Sequence, residues 1–195
     1  MTAITPLTSQ QIPELQPFLE MAEASMGFVP TSLLTMAHWP ELLPAFAGLA
    51  GTVLNGGEVD RGLKQLIALL SSHAAGCRYC QAHTSHAAHR SDVSPEKIGA
   101  VFEYESSPLF SVAERAALRI AARAGMVPNA VEEDDMLALR EHFSEKQSVE
   151  IVAVISLFGF LNRWNDTMAT TLEEQPRSFA QNQLVDIGWT PGKHS

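Results

Sequence analysis

Helix start signals recur along this chain and constrain its fold more than any other feature of the sequence. Ser111 precedes Glu114 by three residues, which is the spacing of a capping box, and Ser144 stands in the same relation to Gln147. Ser94-Pro95 places an N-cap residue before a proline at the first helical position. Runs in which Val, Ile or Thr alternate with polar residues, as in strands, are absent from the sequence. The sequence therefore predicts an all-α fold.

The helix bounds follow from these signals and from the spacing of apolar residues. Helices are expected over residues 8–24, 31–38, 40–54, 58–75, 77–90, 94–104, 111–124, 130–142 and 145–172. We expect residues 1–172 to form a single all-α domain. Residues 173–195 contain two prolines and two glycines, and we expect an irregular C-terminal tail laid along a neighbouring subunit.

Composition and charge argue against several classes of function. The net charge of −9 has the wrong sign for a nucleic-acid-binding surface. The N-terminal sequence MTAITPLTSQQIPEL lacks the charged start and the apolar run of a secretory signal. The longest apolar run, residues 151–161, is shorter than the roughly 20 residues that cross a membrane. We expect a cytoplasmic protein with no nucleic-acid or membrane partner.

Residues 76–90, GCRYCQAHTSHAAHR, hold both cysteines and three of the seven histidines. Cysteine and histidine are zinc ligands. Each three-residue step along a helix turns the side-chain direction by about 300°, so the five residues point progressively apart. We therefore expect no metal, although a zinc site made of Cys77, Cys80, His83 and an outside ligand stays an alternative.

The two cysteines are suited to a reversible disulfide. Residues three apart on a helix have Cα atoms about 5 Å apart, inside the range that a disulfide accepts. Gly76 is expected to end the preceding helix, so that Cys77 is the N-cap of the next helix and Cys80 its third residue. Free amide groups and the helix dipole favour a thiolate there, and a thiolate attacks disulfides or peroxides. The alternative is two inert buried cysteines.

Several neighbours are candidates for proton transfer or for lining a pocket. His83 lies one turn beyond Cys80, where it can accept or deliver a proton. Thr84 lies closer to the face that the two cysteines share. His73, on the preceding helix, reaches the site if the chain doubles back between the two helices.

Other polar residues near these helices have a simpler interpretation. His86 and His89 rotate away from the cysteines and are expected at the surface or at an interface. The polar stretch at residues 162–166 follows an apolar helix. Asn162 or Trp164 borders the dithiol pocket in one interpretation. In the other, which we prefer, the helix leaves the core there for solvent or an oligomer interface.

Four segments of the chain carry a resemblance to a known family. They are FVPTSLLTMAHWPELLPAF, LKQLIALLSSHAAGCRYCQAHTSHAA, SVAERAALRIAARAG and SVEIVAVISLFGFLNRWNDTM. In this order, over about residues 28–172, the chain resembles the carboxymuconolactone decarboxylase / alkylhydroperoxidase D-like family, and most closely its peroxidase-related branch. The resemblance implies an all-α fold with the CxxC helix packed among its neighbours. It also implies a homo-oligomer, whether dimer, trimer or hexamer.

The resemblance further implies an antioxidant thiol peroxidase that acts on organic hydroperoxides. The second cysteine, here Cys80, attacks the hydroperoxide to give an alcohol and a sulfenate. The first, Cys77, then forms the disulfide, which a dithiol partner such as a thioredoxin-like or lipoyl protein reduces without another cofactor. Helix electrostatics alone would make Cys77 the more acidic thiol. We follow the family for the two roles.

Two positions depart from the family pattern. The family's proton relay has a glutamate twelve residues before the first cysteine and a histidine four residues after the second. Gln65 and Thr84 occupy those positions here. Gln65 cannot act as a base, and His83 is displaced by about 100° around the helix from the expected place. Either His83 transfers the proton with help from His73 or a carboxylate elsewhere, or the relay is absent.

Two other functions fit the same residues. One is a decarboxylase-like enzyme acting on a small cyclic acid, with His83 as the base. The other is a redox switch in which the dithiol changes state without turnover. A fold shared within a family does not decide among these functions.

Overall fold

The helix start signals of the sequence begin helices in the structure. Ser111 and Ser144 form the predicted capping boxes, and Ser94 caps a helix that opens with Pro95. A computed structural model describes residues 2–195, and these residues form an all-α protein without strands, which confirms the predicted fold class. No helix in this range has both the length and the apolar character that crossing a bilayer requires.

The helices are named here in chain order. They are α1 Gln16–Met26, α2 Thr31–Met36, α3 Leu42–Asn55, α4 Arg61–Ala74, α5 Arg78–His89, α6 Pro95–Gly99, α7 Val112–Ala124, α8 Glu133–Arg140, α9 Glu145–Met168 and α10 Glu174–Gln183. Short 3₁₀ turns lie at Ser9–Gln11, Pro13–Leu15, Ala100–Glu103 and Gly192–His194.

Helix α4 is the centre of the fold. Residues 62–72 are all buried, and the helix packs against α5, α7 and α9. A helix that is buried all round must lie in the core, since its apolar faces need partners on every side. Helix α5, which follows α4 directly, therefore begins deep inside the molecule, and the two cysteines lie at that point.

A buried lysine joins three of these helices. The Lys64 side chain, 1% exposed, donates hydrogen bonds to the carbonyls of Val53 (2.9 Å) and Gly56 (2.6 Å). Its Nζ also lies 3.6 Å from a carboxylate oxygen of Glu150 on α9, which accepts the backbone N–H of Glu58. A buried charge is tolerated only when it is paired and hydrogen-bonded. These bonds fix the end of α3 against α4 and α9.

Most predicted helix bounds agree with the structure to within about three residues, and three helices differ more. The predicted helix 94–104 is the short helix α6 followed by the 3₁₀ turn Ala100–Glu103. Residues 8–24 form two 3₁₀ turns before α1 begins at Gln16, because Pro13 and Pro17 have no N–H to donate to a continuous helix. The predicted helix 145–172 ends at Met168, where Ala169 takes a left-handed conformation with φ of +48°. No glycine or proline marks this end, so the sequence carries no stop signal there.

The expectation of an irregular C-terminal tail is wrong for the part that forms α10. Pro176 lies in the first turn of that helix, where a proline is tolerated. Helix α10 packs against α5 of the same chain. Beyond it, the Trp189 indole donates to the carbonyl of Arg78 (3.2 Å), and the Leu172 N–H donates to the carbonyl of His194 (2.9 Å). The C-terminal segment thus covers the start of α5.

Candidate active site

The turn between α4 and α5 places both thiols at the start of α5. Gly76 turns the chain with φ of +77°, a conformation that glycine adopts without strain. Cys77 is the N-cap of α5, and its sulfur accepts the backbone N–H of Cys80 at 3.4 Å. Both cysteines are free thiols and are buried. The predicted N-cap position of Cys77 and the third-residue position of Cys80 are thus confirmed.

The two thiols have opposite pKa shifts. A hydrogen bond from the Cys80 side chain lowers the pKa of Cys77 below its ordinary value; burial opposes this, and the Cys80 backbone N–H reinforces it. Burial raises the pKa of Cys80 well above its ordinary value, and its hydrogen bond to Cys77 adds to the rise. Cys77 is therefore the more acidic thiol, and Cys80 donates to it.

A cavity of about 490 Å³ lies between α1, α2, α3, α4, α5 and α9. Cys80 lines this cavity, whereas Cys77 does not. Most of the wall is apolar, with side chains that include Phe18, Leu33, Leu43, Phe46, Phe158 and Leu161. A molecule bound in the cavity therefore meets Cys80 and not Cys77.

Asn165 provides a polar contact to the cavity-lining thiol. Its Nδ2 donates to Cys80 Sγ at 3.5 Å, which favours the ionised thiol. Asn165 lines the cavity and is 1% exposed, and its Oδ1 has no hydrogen-bond partner within residues 2–195. It follows the cavity-lining residues Phe158 and Leu161 by seven and four positions, so it lies on the same face of α9. This spacing could have identified Asn165 from the sequence as a residue on the same face as the two apolar side chains.

The interpretation of residues 162–166 as a helix leaving the core is wrong. Asn162 and Asn165 are both buried, because α9 continues through the core as far as Met168. Neither Asn162 nor Trp164 lines the cavity; the Trp164 indole instead donates to Thr35 Oγ1 at 3.3 Å.

His83 is held by a carboxylate that the sequence did not reveal. Its Nε2 lies 2.6 Å from Oε2 of Glu173, the N-cap residue of α10. The other carboxylate oxygen accepts the hydroxyl of Tyr79 (2.9 Å) and the backbone N–H of Thr31. A carboxylate with these contacts is ionised, so Nε2 is the donor and Nδ1 is the ring nitrogen left for other chemistry.

The charge state of Glu173 follows from this environment. Burial disfavours the carboxylate, but the charge of His83 and its hydrogen bond outweigh burial, and the Thr31 N–H adds to them. Together they hold the pKa of Glu173 at about 2. Glu173 therefore stays ionised at neutral pH and accepts the hydrogen bond of His83.

Aromatic side chains fix the His83 ring at the cavity wall. The Tyr79 ring stacks on it with centroids 4.2 Å apart, and Phe28 meets it edge-on at 5.3 Å. His83 lines the cavity, as Cys80 does. The imidazole thus has one orientation, with one nitrogen assigned to Glu173.

The structure brings together some of the other predicted relay residues and not others. Gln65 is buried and lines the cavity. Thr84 also lines the cavity, but its hydroxyl donates to the carbonyl of Cys80 (2.7 Å). His73 is exposed, with its ring against Phe102 at 4.8 Å, and it does not line the cavity. The carboxylate beside His83 is Glu173 instead.

The remaining histidines of the motif separate in the structure. His86 lines the cavity, which corrects its expected surface position, and its pKa is lowered mainly by burial. His89 is exposed and stacks on Phe179 with centroids 5.1 Å apart, away from the cavity lining. Within residues 2–195, no three His, Cys, Asp or Glu side chains come close enough to hold a metal ion.

Solved structures with this fold include two informative examples. The debrominase Bmp8, as a cysteine-to-alanine variant in complex with 2,3,4-tribromopyrrole, is 37% identical with a TM-score of 0.88; the match covers 93% of this chain and 97% of Bmp8. An alkylhydroperoxidase AhpD core, a peroxidase-related protein from Ralstonia eutropha JMP134, is 23% identical with a TM-score of 0.81, covering 92% of this chain and 95% of that one. At 23% identity, the likeness to the AhpD core shows a shared fold and nothing more.

Sequence comparison agrees with the fold. Residues 40–123 match the carboxymuconolactone decarboxylase family. The protein YnjA of Escherichia coli (strain K12) is 30% identical over 110 residues, which are 56% of this chain and 60% of YnjA, so the match spans less than two thirds of that relative. Over residues 40–123 the chain therefore resembles the carboxymuconolactone decarboxylase family, and its all-α fold is the one seen in the alkylhydroperoxidase AhpD core.

Proposed function

We propose that this protein is a dithiol peroxidase that reduces organic hydroperoxides in the cavity. The observation that carries the proposal is the asymmetry of the thiol pair: Cys80 lines an apolar cavity, whereas Cys77, the more acidic partner, does not. A substrate thus reaches one thiol, while the other is placed to remove its proton and later to close the disulfide. His83, oriented by Glu173, supplies the acid.

The first step breaks the O–O bond. Cys80 passes its proton to the Cys77 thiolate and attacks the terminal oxygen of the hydroperoxide, so a sulfenic acid forms at Cys80. The departing alkoxide takes a proton from the protonated His83 and leaves as the alcohol. Asn165 contacts the Cys80 sulfur and stabilises its ionised form during the attack.

The second step forms the disulfide between the two cysteines. The Cys77 sulfur attacks the sulfenic sulfur of Cys80, its proton joins the departing hydroxide, and water leaves. An external dithiol then reduces the disulfide and is itself oxidised, and a proton returns to His83 from Cys77. A thioredoxin-like or lipoyl protein as this reductant, and assembly into a homo-oligomer, are parts of the proposal that rest on the family.

A second candidate function is reductive dehalogenation of a small aromatic compound. The likeness to Bmp8 over 93% of the chain favours it, because that protein is a debrominase. The same three residues would carry out the steps of this reaction. Cys80 takes the bromine from carbon, His83 protonates the carbanion, and Cys77 displaces bromide to form the disulfide. The products are the C–H compound and bromide.

The two functions are separated by their products. The reduced protein is supplied with dithiothreitol and with either cumene hydroperoxide or 2,3,4-tribromopyrrole, and cumyl alcohol and bromide are quantified. The peroxidase proposal predicts catalytic formation of cumyl alcohol that depends on both thiols and is lost in Cys77→Ser and Cys80→Ser. Thiol-dependent release of bromide with no formation of cumyl alcohol would overturn it in favour of the second candidate.

A further inference from the structure

The charged residues that line the cavity are all basic. The chain has 22 acidic and 13 basic residues, Lys and Arg counted. Within residues 2–195, however, the charged side chains that line the cavity are those of Arg61 and Arg90, and no Asp or Glu lines it. Such a distribution in a chain of net charge −9 is the opposite of what chance placement would give. A cavity with this lining attracts an anion.

The two arginines lie at the same end of the cavity. Arg61 is the first residue of α4, and Arg90 follows the last residue of α5. These helix ends are in contact, since a Cβ placed on Gly62 would lie 3.4 Å from the carbonyl oxygen of Ser91. The start of α4 thus adjoins the end of α5.

Neither arginine is neutralised by a carboxylate. Within residues 2–195 neither guanidinium forms an ion pair; Arg90 donates one hydrogen bond, at 3.1 Å, to the carbonyl of Ser25. Gln65 lies one turn beyond Arg61 on the same face of α4. It is buried and lines the cavity, so its amide is a further polar group beside the two arginines that a ligand can meet.

The thiol lies at the opposite end. Arg90 follows Cys80 by ten residues on the same helix, a rise of about 15 Å. Beyond His83, the carboxylate of Glu173 opposes an anion at the thiol end, while the wall between the two ends is apolar. The cavity thus has a cationic mouth, an apolar middle and a reactive interior.

We propose that the cavity binds amphipathic carboxylic acids, with the carboxylate at Arg61 and Arg90 and the apolar chain extending towards Cys80. This inference builds on the proposed function, and together they name fatty-acid hydroperoxides as the substrate class. Guanidinium groups bind carboxylates through paired hydrogen bonds. The distance between the arginines and the thiol suits a chain-like acid, which spans both sites at once.

Binding of decanoic acid and decanol to the reduced protein, measured by calorimetry, tests this proposal. The acid should bind about tenfold more tightly than the alcohol, since a charged hydrogen-bonded pair contributes about that factor. The double variant Arg61→Gln, Arg90→Gln should lose this preference, and Arg140→Gln, in an exposed residue outside the cavity, should keep it. Equal binding of acid and alcohol by the unaltered protein would overturn the proposal.

A salt titration of the unaltered protein tests the proposal without relying on the folding of a variant, and calorimetry tests it without relying on catalysis. Raising the salt concentration should weaken the binding of the acid and not of the alcohol, because the arginines are exposed. A salt-independent preference for the acid contradicts the proposal without any variant. Calorimetry requires no turnover, so a missing acid preference refutes the substrate class while the thiol chemistry stands. An inert dithiol refutes the proposed function whatever the binding result.

Discussion

Glu173 Oε2 lies 2.6 Å from Nε2 of His83, although the two residues are 90 positions apart in the chain. This pair provides a carboxylate and an imidazole where the family's own relay positions hold Gln65 and Thr84. The imidazole comes from the CxxC helix, and the carboxylate comes from the segment that covers it. The proton chemistry of the site therefore depends on how the C-terminal segment packs.

The Glu173 carboxylate should make stability depend on pH in the acid range. Folding lowers its pKa from 4.5 to about 2, so the ionised carboxylate contributes to stability above pH 4.5, and the contribution is lost as pH falls towards 2. We expect Glu173→Gln to lower the free energy of unfolding by about 3 kcal/mol at neutral pH. Urea unfolding between pH 7 and pH 2 measures this difference, which should shrink below about pH 5.

Glu174→Gln is the matched control for that prediction. Glu174 is the next residue, exposed, and its side chain accepts only the hydroxyl of Ser178. This variant should follow the unaltered protein over the whole pH range. A gap between Glu173→Gln and the unaltered protein that stays constant down to pH 2 would contradict the role given to the ionised carboxylate.

Loss of the imidazole should slow the oxidation of Cys80. We expect His83→Gln to reduce the rate of thiol consumption by cumene hydroperoxide about a hundredfold, since a positioned acid contributes a factor of that order. Stopped-flow measurement of thiol loss gives this rate. His89→Gln removes an exposed histidine that stacks on Phe179, and it should react at the original rate. Equal rates for the two variants would remove His83 from the mechanism.

The unequal acidity of the two thiols can be measured by pH titration. The ultraviolet absorbance of thiolate, followed against pH in the two serine variants, separates them. Cys80→Ser retains Cys77 and a hydroxyl able to donate to it, so its thiolate should appear below the ordinary cysteine range. Cys77→Ser leaves a buried Cys80 that should ionise only well above that range. The reverse order would contradict the assignment of Cys77 as the proton acceptor.

The buried Lys64 should contribute more to stability than a surface lysine does. Lys64→Met leaves the carbonyls of Val53 and Gly56 without their buried donor, and we expect a loss of about 3 kcal/mol in the free energy of unfolding. Lys146→Met breaks an ion pair with Glu58 at the surface and should change stability little. Chemical denaturation of both variants compares them. Coincident midpoints would show that the Lys64 contacts are not stabilising.

Much of the fold was predictable because its signals are local. Capping residues and apolar spacing identify most of the helices, and the short loop at Gly76 places Cys77 at an N-cap from sequence alone. The stop at Ala169 was not predictable, since a left-handed alanine depends on tertiary contacts rather than on a glycine.

The site was predictable only where its residues share one helix. Cys77, Cys80 and His83 lie on or beside the first turns of α5, so their proximity follows from helix geometry. Glu173 lies 90 residues beyond His83, in a segment whose sequence suggests an irregular tail, and only the packing of that segment brings them together. Asn165 was detectable in principle from its spacing to Phe158 on α9.

In the proposed mechanism, a peroxide oxidises the Cys80 thiol, and the Cys77 thiol then forms the disulfide with it. Mass spectrometry after reaction of each serine variant with cumene hydroperoxide and a sulfenic-acid trap tests this most directly. The proposed mechanism predicts a trapped sulfenic acid at Cys80 in Cys77→Ser, none at Cys77 in Cys80→Ser, and a Cys77–Cys80 disulfide in the unaltered protein. Trapping at Cys77 alone, or free thiols that persist under excess hydroperoxide, would contradict it.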